Sequence, residues 1–263
     1  MIRLAFIMTI TVLGLNAQPL FIAHRGASFL SPENTAASAR LAWELGADAV
    51  EVDVHLSLDN RVMVIHDKDT KRTCRSRTNL VVKNTPSVIL RDLDAGVLKD
   101  EKFKGEKIPF LSEIIETIPP GKTLVVEIKC GSEILPYLKK CIAGSGKGDQ
   151  IVFISFGWNT IKDTKSEFPE NRSYWLSSEK AGLEKRIREA SEIGLTGVNL
   201  HYKIIDKNVM KAAESNGLEV LTWTVDDPAE ALRLEELGVN GITTNRPAWL
   251  KQQMQKKSAL PRL

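Results

Sequence analysis

Two histidines and three carboxylates at or near the ends of apolar, strand-like runs are the residues in this chain best placed to do chemistry. His24 follows Phe-Ile-Ala, and His66 follows Val-Met-Val-Ile. Glu51 and Asp53 alternate with valines, so both side chains lie on one face of a strand, and Glu127 follows Leu-Val-Val. Parallel strands buried on both faces are nearly all apolar. Carboxylates in such strands are therefore costly unless a charged partner binds them.

These side chains are suited to work on a phosphate ester. Three carboxylates with no cysteine among them are hard oxygen ligands, which favour Mg²⁺, Ca²⁺ or Mn²⁺ over zinc. Imidazole titrates near neutral pH, so one histidine could take the proton of the nucleophile while the other protonates the leaving alkoxide. Arg25 and Lys129 could hold phosphate oxygens. The set predicts metal-assisted acid–base catalysis, although Glu127 and Lys129 would also suit a simple ion pair.

Two further histidines are less informative. His55 shares the strand face of Glu51 and Asp53, and either a substrate contact or a structural role is compatible with that position. His201 follows another strand-like run and is interpreted as a surface residue rather than a rim residue of the site.

Strand-like and helix-like runs alternate along the chain, and glycines stand where several helices should end. The predicted strands are 20–24, 49–56, 61–66, 123–128, 151–155, 173–176, 197–200, 219–224 and 240–243. The predicted helices are 35–45, 111–118, 133–142, 158–167, 182–193, 206–215 and 228–237.

This alternation predicts parallel strands joined by right-handed crossovers. About eight units in roughly 245 residues predict an α/β fold, a (β/α)₈ TIM barrel over residues 18–263. A doubly wound open sheet is the alternative, but its usual glycine-rich phosphate loop is missing from the sequence. Polar, turn-rich residues 67–110 are predicted to form a small insertion after the second strand unit, over the barrel mouth. Because barrel active sites form at the C-terminal ends of the strands, we expect the residues above to converge there.

Residues 1–17 are predicted to be a secretory signal peptide. Arg3 supplies the positive charge, residues 4–15 are apolar and uncharged, and Ala17 offers a small residue for cleavage. The apolar run is too short to span a bilayer comfortably. An apolar strand or a membrane anchor is the alternative. Export would place the chain in the periplasm or outside the cell.

The composition gives no sign of a nucleic-acid partner. The chain has 263 residues and a net charge of +3, which is too little for a polyanion-binding surface. The basic segment 251–262 is interpreted as a solvated terminus. Cys74, Cys130 and Cys141 form an odd set and are interpreted as small buried residues, and whether Cys130 and Cys141 pair stays open. The sequence indicates neither membrane contact nor an oligomeric state.

An ordered set of short motifs between about residues 21 and 250 resembles the glycerophosphodiester phosphodiesterase family. Any one motif is weak, but their order and spacing together are specific. The matching segments are His24-Arg25-Gly26, Pro32-Glu33-Asn34-Thr35, Glu51-Val52-Asp53-Val54, His66-Asp67, Arg72-Thr73, Glu127-Ile128-Lys129, Ser155-Phe156, Trp223-Thr224-Val225 and Thr244-Asn245-Arg246-Pro247.

The resemblance implies a TIM barrel that hydrolyses a small-molecule glycerophosphodiester to sn-glycerol 3-phosphate and an alcohol with a divalent cation, Mg²⁺ or Ca²⁺ and also Mn²⁺. It implies support of the site by Glu33 and Asn34. Asn245 departs from the family pattern, in which many relatives have Asp. The implied site consists of the acid–base pair His24 and His66, the metal ligands Glu51, Asp53 and Glu127, the phosphate contacts Arg25 and Lys129, and the glycerol contact Trp223.

Two other functions are compatible with the same residues. One is phospholipase D-like cleavage of lysophospholipid or sphingomyelin head groups, which an exposed apolar rim at the mouth would favour; Phe29, Leu30, Phe103 and Phe110 are the candidates for it. The other is a barrel that binds a phosphorylated ligand without turnover, which the loss of a histidine or an acid would favour. Both histidines and all three acids are present in this sequence.

Overall fold

The apolar runs between turn signals form strands. The computed structural model describes residues 18–258, so the predicted signal peptide at 1–17 lies outside the described residues, as do residues 259–263. The strands are β1 (Leu20–Ala23), β2 (Ala49–Leu56), β3 (Val62–Val64), β4 (Thr123–Ile128), β5 (Ile151–Ser155), β6 (Arg172–Ser177), β7 (Gly197–His201), β8 (Glu219–Trp223) and β9 (Gly241–Thr244).

Eight of these strands close into a parallel barrel. Their order in the sheet is β1-β9-β8-β7-β6-β5-β4-β2, and β1 also pairs with β2, which closes the ring. Every pairing within this ring is parallel. The predicted (β/α)₈ TIM barrel is therefore confirmed.

The strand expected at 61–66 forms, but it is not one of the eight barrel strands. It is β3, which pairs antiparallel with β2, with Val64 opposite Val54. Only residues 57–61 connect the two strands, and a crossover between parallel strands needs about a dozen residues or more. The chain therefore makes a hairpin, and His66 reaches the barrel mouth on the return from that hairpin rather than at the end of a barrel strand.

Helices follow the barrel strands and bury one face against them, and the largest apolar cluster lies between the two layers. Within residues 18–258, no helix has the length and apolar character needed to cross a membrane. The helices are α1 (Ala36–Glu44), α2 (Ser87–Asp92), α3 (Leu111–Glu116), α4 (Leu135–Ala143), α5 (Trp158–Glu167), α6 (Leu183–Glu192), α7 (Lys207–Ser215), α8 (Pro228–Leu237) and α9 (Pro247–Ser258).

The insertion after the second strand unit has a small core of its own. It includes Met63 on β3 and Leu90 on α2, both fully buried. Helix α2 was not expected from the sequence, because six residues after a proline give too short a periodic pattern. The Nζ of Lys99 donates to the Ser28 carbonyl at 2.8 Å, so the insertion contacts the loop after β1 at the mouth.

The described part of the basic segment, residues 251–258, differs from the expected solvated terminus. Residues 251–258 are the last turns of α9, which begins at Pro247. Leu250 and Met254 are buried in the main core, and Lys251 lies 3.7 Å from the Asp48 carboxylate. Apolar residues four positions apart share one face of a helix. In the sequence, the lysine and glutamines between Leu250 and Met254 made this helical spacing difficult to recognise.

No disulfide joins the three cysteines, all of which lie within the described residues 18–258, and their burial differs. Cys74 is buried in the core of the insertion, whereas Cys130 and Cys141 are half-buried. Only Cys74 therefore fits the interpretation as a fully buried residue.

A tight turn after β1 aims the first catalytic candidates into the barrel. Arg25 and Gly26 both have left-handed backbone angles, with φ of 55° and 77°. This conformation is uncommon for a residue with a side chain. It allows the Arg25 N–H to donate to Glu51 Oε2 at 2.8 Å. A Cβ on Gly26 would lie 1.9 Å from the Ser38 Oγ, so only glycine lets α1 approach this turn.

We predict that Gly26→Ala lowers the free energy of unfolding by about 2 kcal/mol or more, because it adds a clash to the conformational strain. Gly46→Ala is the matched control: its φ is also positive, at 80°, but nothing lies within 4 Å of the added Cβ, so we expect about 1 kcal/mol. Thermal unfolding of the two variants measures the difference. Equal melting temperatures would contradict the close packing of the turn on α1.

Candidate active site

Three acids meet inside the barrel at its C-terminal end. Glu51 and Asp53 point inward from β2, and Glu127 points inward from β4, where it is the register partner of Asp53. One carboxylate oxygen from each residue lies within 4.8 Å of the others. Their residues are only 2%, 1% and 9% exposed. Like charges this close and this dry repel strongly.

The repulsion shows in the protonation behaviour of the acids. Burial, followed by the charges of Asp53 and Glu127, raises the pKa of Glu51 well above its usual value. Burial and the Asp53 charge raise the pKa of Glu127 to about 7, although Lys129 opposes this. The Oε1 of Glu51 is buried and has no hydrogen-bond partner in the protein. The cluster therefore has a carboxylate oxygen without a hydrogen-bond partner and, when its acids are ionised, an excess of negative charge.

Two cations and one amide surround the acids. Lys129 Nζ lies 2.7 Å from Glu127 and 3.7 Å from Asp53. Arg25 Nε lies 3.2 Å from the Asp53 carboxylate, at an angle too poor for a hydrogen bond. Asn34 donates its amide N–H to Asp53 at 2.8 Å and accepts the Asp53 backbone N–H. Asn34 itself has a left-handed φ of 57°, which a short amide side chain tolerates well.

His24 is held in one tautomer by a chain of hydrogen bonds. Its Nδ1 lies 2.7 Å from Asn245 Oδ1, and the Asn245 amide nitrogen donates to Asp226 at 2.6 Å. A carboxylate can only accept, so the amide nitrogen must face Asp226 and the amide oxygen must face His24. His24 therefore carries its proton on Nδ1, and Nε2 is the basic nitrogen. Burial and the neighbouring charge of Arg25 lower the His24 pKa below its usual value.

His66 is held by a carboxylate instead. Its Nδ1 lies 2.6 Å from Asp67 Oδ1, and the Asp67 carboxylate also accepts from Arg72 Nε at 2.7 Å. This hydrogen bond from Arg72 is the largest cause that lowers the Asp67 pKa to about 2, so Asp67 stays charged. Arg72 also binds Glu33 through two nitrogens, at 2.7 and 2.8 Å, and Glu33 in turn binds Arg25 at 2.9 Å. The far ring nitrogen of His66 faces Lys129 Nζ at 3.1 Å.

Most of the groups that could act on a substrate open onto one cavity of about 190 Å³. Glu51, Glu127 and His66 line one side, and Trp223 and Phe156 line another. The rings of Phe156 and Trp223 meet edge to face, with centroids 5.4 Å apart. The cavity is lined by His24, Arg25, Glu51, His66, Glu127, Lys129, Ile154, Phe156, Leu176, Asn199, Trp223, Thr224 and Thr243.

The structure thus brings seven of the eight expected site residues onto this cavity, and the eighth, Asp53, contacts Lys129 and Asn34 beneath it. The other two histidines do not line the cavity. His55 contacts the His66 carbonyl through Nε2 at 3.1 Å. His201 packs its ring against Trp223, with centroids 5.1 Å apart. Both therefore support neighbours that line the site.

Sequence reasoning gave no role to several residues that matter here. Asn245 and Asp226 hold His24, although Asp226 follows a strand end just as the other site residues do. Arg72 belonged to a recognised motif, but its contact with Asp67 needs the hairpin geometry. Asn199 interrupts an apolar strand, and that polar interruption is the signal that could have found it.

The donor set fits a hard divalent cation. Three carboxylates converge within 4.8 Å, one of their oxygens has no protein partner, and carboxylate oxygen is the ligand preferred by Mg²⁺, Ca²⁺ and Mn²⁺. These three were the only such group found among residues 18–258.

Comparisons with known proteins agree with this geometry. Residues 24–249 match the model of the glycerophosphoryl diester phosphodiesterase family. A glycerophosphodiester phosphodiesterase from Caldanaerobacter subterraneus subsp. tengcongensis is 34% identical, over 88% of this chain and 96% of the relative. A phosphodiesterase from Oleispira antarctica, solved in complex with its product sn-glycerol 3-phosphate, is 29% identical. It superposes with a TM-score of 0.83 over 90% of this chain and 97% of the other. A glycerophosphodiester phosphodiesterase from Agrobacterium tumefaciens is 26% identical, with a TM-score of 0.74 over 89% of this chain and 99% of the other.

The raised pKa of Glu127 predicts how metal-free protein responds to pH. A carboxyl whose pKa rises on folding favours the folded state below its ordinary pKa of 4.5, and this stability is lost as the pH rises through about 7. In EDTA, we measure the melting temperature of wild type relative to that of Glu127→Gln. We expect this difference to shift against wild type by several degrees as the pH rises from 4.5 to 8. This corresponds to roughly 3 kcal/mol at most. Mg²⁺ or Ca²⁺ should stabilise wild type far more than the variant. A difference that does not change with pH or metal would contradict the charged cluster.

Proposed function

This chain belongs to the glycerophosphoryl diester phosphodiesterase family and is a glycerophosphodiester phosphodiesterase, and we propose that it forms sn-glycerol 3-phosphate and an alcohol by metal-dependent acid–base catalysis. The observation that carries this proposal is the cluster of three buried acids, two of which line one small cavity together with the two histidines. The Oleispira antarctica relative, which was solved with sn-glycerol 3-phosphate, supports the choice of product.

In this proposal Glu51, Asp53 and Glu127 hold one divalent cation, Mg²⁺, Ca²⁺ or Mn²⁺. When bound, such a cation neutralises charge on the phosphate and polarises the P–O bond. The residues themselves fit this role because their oxygens are close together and buried, and because one of them lacks a partner. A bound cation would also relieve the repulsion that raises the pKa values of Glu51 and Glu127.

The two histidines move the protons. His24 is the base of the pair: its lowered pKa keeps the ring neutral at pH 7, and the hydrogen bond to Asn245 leaves Nε2 free to accept the proton of the attacking hydroxyl or water. His66 returns a proton to the leaving alkoxide through its Nε2, while Asp67 fixes the ring through Nδ1. Each ring is pre-oriented, so little freedom is lost on reaching the transition state.

The cations and the aromatic wall position the substrate. Arg25 and Lys129 line the cavity together with Glu51 and Glu127, and both are cationic donors suited to non-bridging phosphate oxygens. Trp223 offers an apolar face on the far side of the cavity, where the carbon chain of the glycerol would lie. The cavity of about 190 Å³ is below the 300–1,000 Å³ common for drug-sized ligands, which suits a small glycerol phosphate group.

The assay that tests this function measures release of sn-glycerol 3-phosphate from a panel of glycerophosphodiesters by purified protein. We expect turnover that EDTA abolishes and that Mg²⁺, Ca²⁺ or Mn²⁺ restores, because the acids need a cation to bind a phosphate diester. Release of choline from lysophosphatidylcholine and sphingomyelin, measured separately, tests the phospholipase D-like alternative. Binding of glycerophosphodiesters without any product would favour the non-catalytic barrel and overturn the proposal.

His24→Ala should lower kcat by roughly 100-fold or more while the protein remains folded, because it removes the proton acceptor but little core packing. His201→Ala is the control: that ring lies outside the cavity, and we expect a loss of less than about tenfold. The acidic limb of kcat/KM in wild type should have its midpoint below pH 6.5, in line with the lowered His24 pKa. Near-normal turnover by folded His24→Ala would sink the assignment.

A further inference from the structure

Asn199 is a buried polar residue that the chemistry above does not use. It lies in the middle of β7 and is 1% exposed. Its chain neighbours Val198 and Leu200 pack outward into the main core. Strand side chains alternate, so Asn199 points into the barrel, where it lines the same cavity as the acids.

The side-chain oxygen of Asn199 has no hydrogen-bond partner in the protein. Leaving such a group buried and unpaired costs about 1–3 kcal/mol, and native proteins rarely tolerate it without a reason. Within residues 18–258, two of the other atoms in this state belong to Arg25 and Glu51 at the acidic cluster. Unpaired polar atoms therefore occur at two places on one cavity. One is the acidic cluster, where a charged ligand is expected, and the other is Asn199.

The position of Asn199 in the ring of strands separates these two places. In the order of the eight barrel strands, β7 is four strands from β2 in either direction, and β8 is likewise four strands from β4. The wall with Asn199 and Trp223 therefore faces the wall with the three acids across the mouth. A ligand whose phosphate is held at the acids can therefore extend one of its substituents across the cavity toward Asn199.

The surroundings of Asn199 suit a short polyhydroxylated carbon chain. The Trp223 indole N–H donates to the Asn199 backbone carbonyl at 3.2 Å, which fixes the ring beside the amide. Leu176 is the register partner of Asn199 on β6 and lines the same cavity. Carbon atoms can pack on these apolar faces, while a hydroxyl pairs with the amide. A hydroxyl both donates and accepts, so it can satisfy either end of an amide.

We propose that Asn199 hydrogen-bonds a hydroxyl of the glycerol half of the substrate and is a specificity-determining residue of this enzyme. The inference rests on the proposed function, since it takes the glycerophosphodiester as substrate and the acids as the phosphate end of the site. A site built to bind a hydroxyl discriminates strongly against an analogue without it, because its buried polar group is then left unpaired.

The test compares two ligands that differ only in hydroxyls, sn-glycerol 3-phosphate and n-propyl phosphate, as inhibitors of the metal-loaded enzyme. The first is the product of the proposed reaction and the second is its analogue without hydroxyls. Neither is a diester that the enzyme could cleave, so the comparison measures binding alone. In wild type we expect sn-glycerol 3-phosphate to bind at least about tenfold more tightly. In Asn199→Leu we expect its affinity to fall roughly tenfold or more, while n-propyl phosphate binds as well as before.

The melting temperature separates the proposed role from a structural one. Replacing a residue that only supports the fold would lower the melting temperature, whereas replacing Asn199 should not. Asn199→Leu removes a buried amide oxygen that has no hydrogen-bond partner, so its melting temperature should equal or exceed that of wild type. Thr222→Val is the matched control on β8. It removes a buried hydroxyl that donates to the Leu200 carbonyl at 2.9 Å and that does not line the cavity. We expect that variant to melt at a lower temperature and to keep the ligand preference of wild type.

The outcomes separate this inference from the proposed function. Wild type that hydrolyses glycerophosphodiesters while Asn199→Leu keeps the full preference for sn-glycerol 3-phosphate would overturn the role of Asn199 and leave the function standing. Wild type that hydrolyses none of them would overturn the function first. If the leucine side chain weakens both ligands equally, Asn199→Ala decides. A retained preference in that variant, or an equal loss of both ligands with a lower melting temperature, would overturn the inference.

Discussion

Repulsion among three buried carboxylates is the constraint around which this barrel mouth is built. Glu51, Asp53 and Glu127 lie within 4.8 Å of one another, in a place where the interaction between like charges is only weakly screened. Arg25 and Lys129 supply two positive charges against three negative ones. Protonation can remove the remaining charge, as the raised pKa values show, and so can a cation. Only the second choice leaves all three oxygens available as ligands at neutral pH.

The barrel fold determines where these mutually repelling carboxylates lie. A closed parallel barrel must bring alternate side chains of every strand inward, and at the C-terminal end those side chains meet. The loops then supply what the strands lack. The left-handed turn at Arg25 and Gly26 brings a backbone N–H to Glu51. Arg72 crosses from the insertion to bind Glu33 and Asp67, so the loop after β1 and the return from the hairpin are linked by charge.

The sequence predicted the barrel and the site acids well, because both depend on patterns local to the chain. Glu51 and Asp53 are visible as charges in an apolar strand, and their shared face follows from the period of two. The hairpin of β3 was harder to foresee, because an apolar run of four residues has no direction of its own and only the short connection decides its pairing. Contacts such as Asn245 with His24 span 221 positions in sequence. The period of a strand or helix does not predict contacts between residues so far apart in sequence, so only the folded barrel could reveal them.

The two histidines are oriented by unlike means, and the difference has a chemical consequence. Asp67 places a full negative charge against the His66 ring. At His24 the charge is one residue further away, since Asn245 stands between the ring and Asp226. A neutral amide fixes the tautomer without a direct charge that would favour the imidazolium. Burial and Arg25 then keep the His24 pKa low, so in the proposed mechanism the ring is neutral when it accepts a proton. A carboxylate at position 245 would supply the same hydrogen bond but would favour the protonated ring. The amide therefore preserves a base in a site that already contains three acids.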